Sequence, residues 1–119
     1  MLPTIAYAAP TAGASLGPYQ IARREPNPND VLIDIMYCGI CHSDIHFARG
    51  DFPGVAFPSV PGHEIVGKVV KTGSAVTKYK LGDIVGVGCM VDSCRHCEEC
   101  EAGEEQFCNG LVGTYGGVE

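Results

Sequence analysis

Along the chain, hydrophobic positions fall in short runs broken by proline, glycine and small polar residues, and none has the length and 3.6-residue period of a long helix. "PTIAYAA" and "PYQIARRE" read as the first two strands. In "REPNPND" Pro26 and Pro28 fix φ while Asn27, Asn29 and Asp30 tolerate turn geometry, so the chain reverses there. "VLIDIMYC" alternates, which puts Val31, Ile33, Ile35 and Tyr37 on one face of a strand. "HSDIHFARG" reads as a short helix ended by Gly50. "FPGVAFPSVPG" is a stiff, extended connection, because Pro53, Pro58 and Pro61 deny it donors for helix or sheet. "HEIVGKVVKTG" and "GDIVGVG" are strands joined by a loop containing "GSAVTKYK". From Cys89 onward cysteine and glutamate dominate, and the pattern is that of a loop. The sum is a small, mostly β domain, partly barrel-like, with a cysteine-rich excursion.

Composition narrows the function classes. The 119 residues suit one domain with a modest core, and 45% hydrophobic against 18% charged residues is a globular balance. A net charge of −6 offers no basic face for nucleic acid or an anionic membrane. No apolar run reaches the length of a membrane span. "MLPTIAYAAPTAGASLG" has no basic stretch followed by a long apolar one, so a signal peptide is not expected and a cytoplasmic location is. Seven cysteines is an odd count, and four crowd into "CRHCEECEAGEEQFC". Without an export signal, that spacing points to metal rather than disulfides.

The stretch "PGHEIVGKVV" admits three chemistries. Gly62 and Gly67-Lys68 have the spacing of a phosphate-binding loop, but Val69 stands where Ser or Thr would reach Mg²⁺. His63-Glu64 opens like a zinc-protease helix, but Gly67 occupies the place of the second histidine. The third reading survives: Pro58, Pro61 and Gly62 form a rigid pivot that starts a strand at His63. An imidazole held there can offer one nitrogen to a metal, with Glu64 binding beside it or orienting a neighbour.

Cys94, Cys97, Cys100 and Cys108 have the spacing C-x2-C-x2-C-x7-C, which suits a closed tetrahedral zinc site that orders a segment poor in apolar residues. An iron–sulfur cluster is the rival, disfavoured because the x3 spacing and following proline of bacterial ferredoxin motifs are absent. His96 is expected to face solvent, and Glu98, Glu99, Glu101, Glu104 and Glu105 to form a solvated face. Cys41, in "CGICHSDIH", pairs with His63 as the sulfur and nitrogen ligands of an open zinc site, with Glu64 as a third donor. Cys38 and Cys89 are expected to be small buried residues. On their own, Ser43 and Asp44 read equally well as helix caps and His46 as a surface residue.

"CGICHSDIH", "PGHEIVGKVV", "GDIVGVG" and the four-cysteine loop, in this order, resemble the N-terminal part of zinc-dependent medium-chain alcohol dehydrogenases. "GVGCMVDSCRHCEECEAGEEQFC" is most similar to their cinnamyl-alcohol-dehydrogenase-like branch, typically NADP-linked aldehyde reductases. The likeness covers nearly the whole chain. It implies a GroES-like, partly open β-barrel with short helices over residues 1–119 and a zinc loop over residues 89–110. It implies Cys41, His63 and Glu64 at a catalytic zinc and Cys94, Cys97, Cys100 and Cys108 at a structural one. It also implies Ser43 and His46 as a proton relay, Asp44 as a carboxylate beside the catalytic zinc, and His42 as a cofactor contact. The activity implied is interconversion of primary alcohols and aldehydes, with zinc polarising the oxygen and NADP exchanging a hydride.

One departure matters. The dinucleotide fingerprint G-x-G-x-x-G has no match, since the nearest stretch, "GVGCMV", carries Val91 at its third glycine position. A Rossmann cofactor domain is therefore expected to be absent from these residues, and with it the family's third catalytic ligand, a cysteine. The 119 residues alone are expected to be inactive, and the apolar face that would meet that domain to favour self-association. The alternative is a free-standing zinc-binding structural or interaction module. The full set of Cys41, Ser43, Asp44, His46, His63 and Glu64 favours the dehydrogenase reading, because a module has no need of it.

Overall fold

The computed structural model describes residues 1–116. Strands β1 (Leu2–Ala8) and β2 (Gly17–Arg23) form an antiparallel hairpin, in register from Leu2↔Arg23 to Ala8↔Gly17. The proline–asparagine turn follows. Asp30 closes it, its carboxylate accepting from the Asn27 amide at 2.8 Å and from the Arg24 guanidinium at 2.6 Å. Three strands then make the central antiparallel sheet: β3 (Val31–Gly39), β4 (Glu64–Thr72) and β5 (Ile84–Val87), in the order β3-β4-β5. Helix α1 (His42–Arg49) lies in sequence between β3 and β4.

The alternation expected of β3 holds only in part. Ile33 pairs with Val69 and Ile35 with Gly67, but Met36 is an extra residue, and Tyr37 pairs with Val66. Successive residues of β4 point to opposite faces, so the bulge carries Tyr37 off the face of Ile33 and Ile35. It is 70% exposed. Cys38 lies in an exposed run from Asp34 to Ile40. Cys89 is exposed too, in the short link between β5 and the next strand. The expectation that both thiols are buried is therefore wrong: each lies beyond the small core.

The segment after Cys89 is more ordered than a loop. Strand β6 (Met90–Asp92) pairs antiparallel with β7 (Val112–Gly113), closing off a lobe that holds a one-turn helix α2 (Glu98–Glu101) and a 3₁₀ turn (Glu105–Phe107). Its elements are too short to show a hydrophobic period, and the cysteines replace apolar residues at its centre.

The core is small. Among the described residues, Ala8, Ala9, Val69 and Cys108 are the buried hydrophobic ones, with Asp44 and Ser59 as buried polar ones. A radius of gyration of 15.2 Å exceeds the roughly 13.5 Å of a compact chain this long, consistent with three separate sheets that do not close. This is the partly open, mostly β arrangement expected. Among the described residues no helix is long and apolar enough to cross a membrane.

Candidate metal centres

The first centre lies where α1 begins and β4 starts. Cys41 stands at the N-cap of α1 with extended φ and ψ of −100° and 154°. Asp44, one turn into the helix, reaches back to accept from the Cys41 amide at 2.8 Å with Oδ2. Its other oxygen accepts from the Gly62 amide at 3.0 Å and lies 3.3 Å from His63 Nδ1. One nearly buried carboxylate thus ties the helix start to the pivot before β4. Asp44 makes the capping contact and also lies beside His63.

Ligand atoms of Cys41, His63 and Glu64 all lie within 4.8 Å of one another. The His63 side chain is 12% exposed, and its Nδ1 is buried without a satisfactory hydrogen bond, since Asp44 is close but poorly aligned. A buried, unpaired polar atom beside a thiol and a carboxylate is costly unless something binds there, so this donor set fits a divalent zinc ion. Ser43 Oγ lies 3.5 Å from Cys41 Sγ. Gly39, at the end of β3, leaves room for the Glu64 carboxylate, whose movable end a Cβ there would meet at 2.4 Å.

His46 follows on α1. Gly50 ends the helix in the left-handed region, φ 75°, which turns the chain so that Asp51 folds back. The Asp51 amide donates to the His46 carbonyl at 2.9 Å, and its carboxylate holds His46 Nδ1 at 2.7 Å. That bond leaves Nε2 as the free ring nitrogen. The Phe52 ring lies 5.7 Å from that of His46 between centroids and is tilted by 55°, and exposed His42 lies 4.8 Å from His46 on the same helix face.

Two neighbours escaped the sequence reading. Asp51 carried a readable signal, an acidic residue directly after a helix-ending glycine. Tyr115 carried none: it arrives from the far lobe, its ring 5.0 Å from His63 and edge-on to Phe47 at 4.5 Å. Burial raises its phenol above the ordinary 10, and the charges of Asp44 and Cys41 act in the same sense, while the nearby Ser43 hydroxyl opposes them.

The second centre is formed by Cys94, Cys97, Cys100 and Cys108, whose sulfurs lie within 4.8 Å of one another. Amides point at these sulfurs: Cys94 N to Cys108 Sγ at 3.3 Å, Cys97 N to Cys94 Sγ at 3.3 Å, and Gly110 N to Cys108 Sγ at 3.2 Å. Arg95, at φ 67°, makes the tight turn between the first two cysteines. The His96 amide draws Cys94 down to about 7, whereas Cys97 moves up. For Cys97 the Cys100 amide favours the thiolate, but burial and hydrogen bonds to Glu99, Cys100 and Cys94 outweigh it. Four thiolates this close repel, so they lose their protons in turn, and a bound dication removes that repulsion. The set fits a closed zinc site. His96 is exposed, and most of the neighbouring glutamates are too.

Residues 27–119 match the family described as Alcohol dehydrogenase GroES-like domain. The chain belongs to that family. It is 58% identical over 110 residues to Aldehyde reductase YahK of Escherichia coli (strain K12), an alignment covering 92% of this chain and 32% of that protein. Among solved structures it is similar to a cinnamyl alcohol dehydrogenase from Sorghum bicolor, at 46% identity and a TM-score of 0.93, covering 97% of this chain and 33% of that one. It is likewise similar to the Helicobacter pylori cinnamyl alcohol dehydrogenase complexed with NADP(H), at 43% identity and a TM-score of 0.94, covering 98% and 34%. The chain thus spans about a third of the length of these relatives.

Proposed function

We propose that residues 1–119 form the zinc-holding catalytic unit of an NADP-linked oxidoreductase that interconverts primary alcohols and aldehydes. The observation that carries this reading is the convergence of the ligand atoms of Cys41, His63 and Glu64 to within 4.8 Å of one another, with Asp44 bracing both the Cys41 turn and the His63 pivot. Support also comes from relatives named as an aldehyde reductase, an NADP-dependent alcohol dehydrogenase and cinnamyl alcohol dehydrogenases.

In this reading Cys41 and His63 hold one zinc, with Glu64 as a third donor that can give way, and the four cysteines hold another. When bound, the first zinc polarises the substrate oxygen and NADP exchanges the hydride. The rest is done by this chain. Ser43, next to Cys41 in space, takes or returns the hydroxyl proton, and His46 passes it toward solvent through Nε2, its orientation held by Asp51. His42, exposed at the head of α1, meets the cofactor. Hydride transfer needs a dinucleotide-binding unit, for which residues 1–119 hold no glycine fingerprint, so the 119 residues alone are expected to be inactive. A reducing cytoplasm suits a protein whose seven cysteines form no disulfides.

The test is zinc per chain by elemental analysis, with Cys41→Ala as control. Two zincs in the wild type and one in the variant are expected. One zinc in both would remove the catalytic site from the reading and leave a four-cysteine structural module.

A further inference from the structure

His63 precedes the first residue of β4 and follows Gly62 at φ 120°, so the strand ladder does not fix its side chain. Asp44 braces one ring edge, at 3.3 Å and poorly aligned. The other brace is the Tyr115 ring, 5.0 Å away between centroids and inclined by only 31°. Phe47 of α1 meets the Tyr115 ring at 80° and 4.5 Å, so Tyr115 is wedged between the helix and His63.

Tyr115 is itself firmly placed. Met90 pairs with Gly113, the Thr114 amide donates to the Cys89 carbonyl at 3.1 Å, and the Thr114 hydroxyl donates to the Gly88 carbonyl. Gly116, just beyond, packs against Phe47 so closely that a Cβ would meet the Phe47 ring at 2.9 Å. The backbone before Tyr115 is thereby tied to the four-cysteine lobe, and the backbone after it lies against Phe47 of α1.

We propose that Tyr115 is a positioning residue that clamps the His63 imidazole in its metal-binding orientation. This rests on the reading of Cys41, His63 and Glu64 as a metal site. A clamp raises affinity by removing rotational freedom from the imidazole before the ion arrives, and the aromatic face does this without competing for the ligating nitrogen.

The test uses the full chain, with its four-cysteine site filled with zinc, titrated with Co²⁺ while the sulfur-to-cobalt charge-transfer band at Cys41 is followed. Tyr115→Ala is expected to weaken Co²⁺ binding about tenfold, the low end of what supporting residues contribute at metal sites. Tyr115→Phe keeps the ring and is expected to bind as the wild type does. Zinc at the four-cysteine site should stay at one per chain in both variants, which separates positioning from general loss of fold. Equal Co²⁺ affinity in Tyr115→Ala and wild type would overturn the proposal.

If the wild type itself takes up no Co²⁺ at Cys41, the metal-site reading fails separately. The clamp is then judged on the His63 ring proton resonances without Co²⁺. They are expected to move in Tyr115→Ala and to be largely kept in Tyr115→Phe. Unmoved His63 resonances in Tyr115→Ala would sink it.

Discussion

Asp30 shows how much one side chain contributes at the join between β2 and β3. Arg24 and then the Asn27 amide hold its carboxyl below the ordinary 3.8, and both bonds favour the charged form. A depressed folded pKa adds stability that is complete above the unfolded value and is lost as pH falls through the folded one. With the side chain 32% exposed, solvent screening limits the contribution to about 1 kcal/mol. Asp30→Ala should therefore unfold at lower denaturant concentration than wild type at pH 7, and the gap should narrow as pH drops below about 4. An equal gap at pH 7 and pH 3.5 would show that the side chain acts by something other than its charge. Residues of this kind were legible in the sequence because their partners are local, and so were the four cysteines, whose sulfurs gather from one short loop. Asp51 was half legible, since it depends on the left-handed turn at Gly50. Tyr115 was not legible, because its contact with His63 exists only after the far lobe has folded.

Elements were legible where periodicity had room to show. Strands β1 to β4 and α1 were all readable, but the bulge at Met36 was not, because alternation in "VLIDIMYC" gives no sign of an extra residue. Two strands of three and two residues, β6 and β7, are below the length at which a pattern can be read. Close approaches between elements escape the sequence in the same way. Gly73, after β4, donates its amide to the Asp30 carbonyl at 2.8 Å, and a Cβ on it would lie 2.3 Å from the Asn27 and Pro28 carbonyl oxygens. Backbone cannot step aside as a flexible side chain can. Gly73→Ala should cost about 2–3 kcal/mol in denaturant unfolding. Gly17→Ala, in the open at the start of β2, should cost nothing measurable or stabilise slightly. Equal effects of the two substitutions would mean that the turn moves to accept the methyl group.

At the scale of the whole molecule, the chain has two sources of order of different kinds. The β3-β4-β5 sheet is held by its ladder and a small core at Val69, whereas the lobe from Cys89 to Gly113 has Cys108 as its only buried hydrophobic residue. In the proposed reading zinc supplies what a core does not, because thiolates that repel one another in its absence become its ligands. Removing the metal should therefore divide the molecule. A strong chelator is expected to abolish hydrogen-exchange protection at the Cys94, Cys97 and Gly110 amides, which point at cysteine sulfurs, while the Val69 amide, bonded to the Asp83 carbonyl at 2.9 Å, stays protected. Acid should do the same as the chelator, since protons compete with zinc for thiolates: lowering pH releases the ion and opens the lobe first. Loss of protection at Val69 together with Cys94 would mean that the lobe and the sheet unfold as one unit. Tyr115 would then be more than a brace on His63. Through β7 and Thr114 it would be the contact by which the order imposed by the four cysteines reaches the rest of the fold.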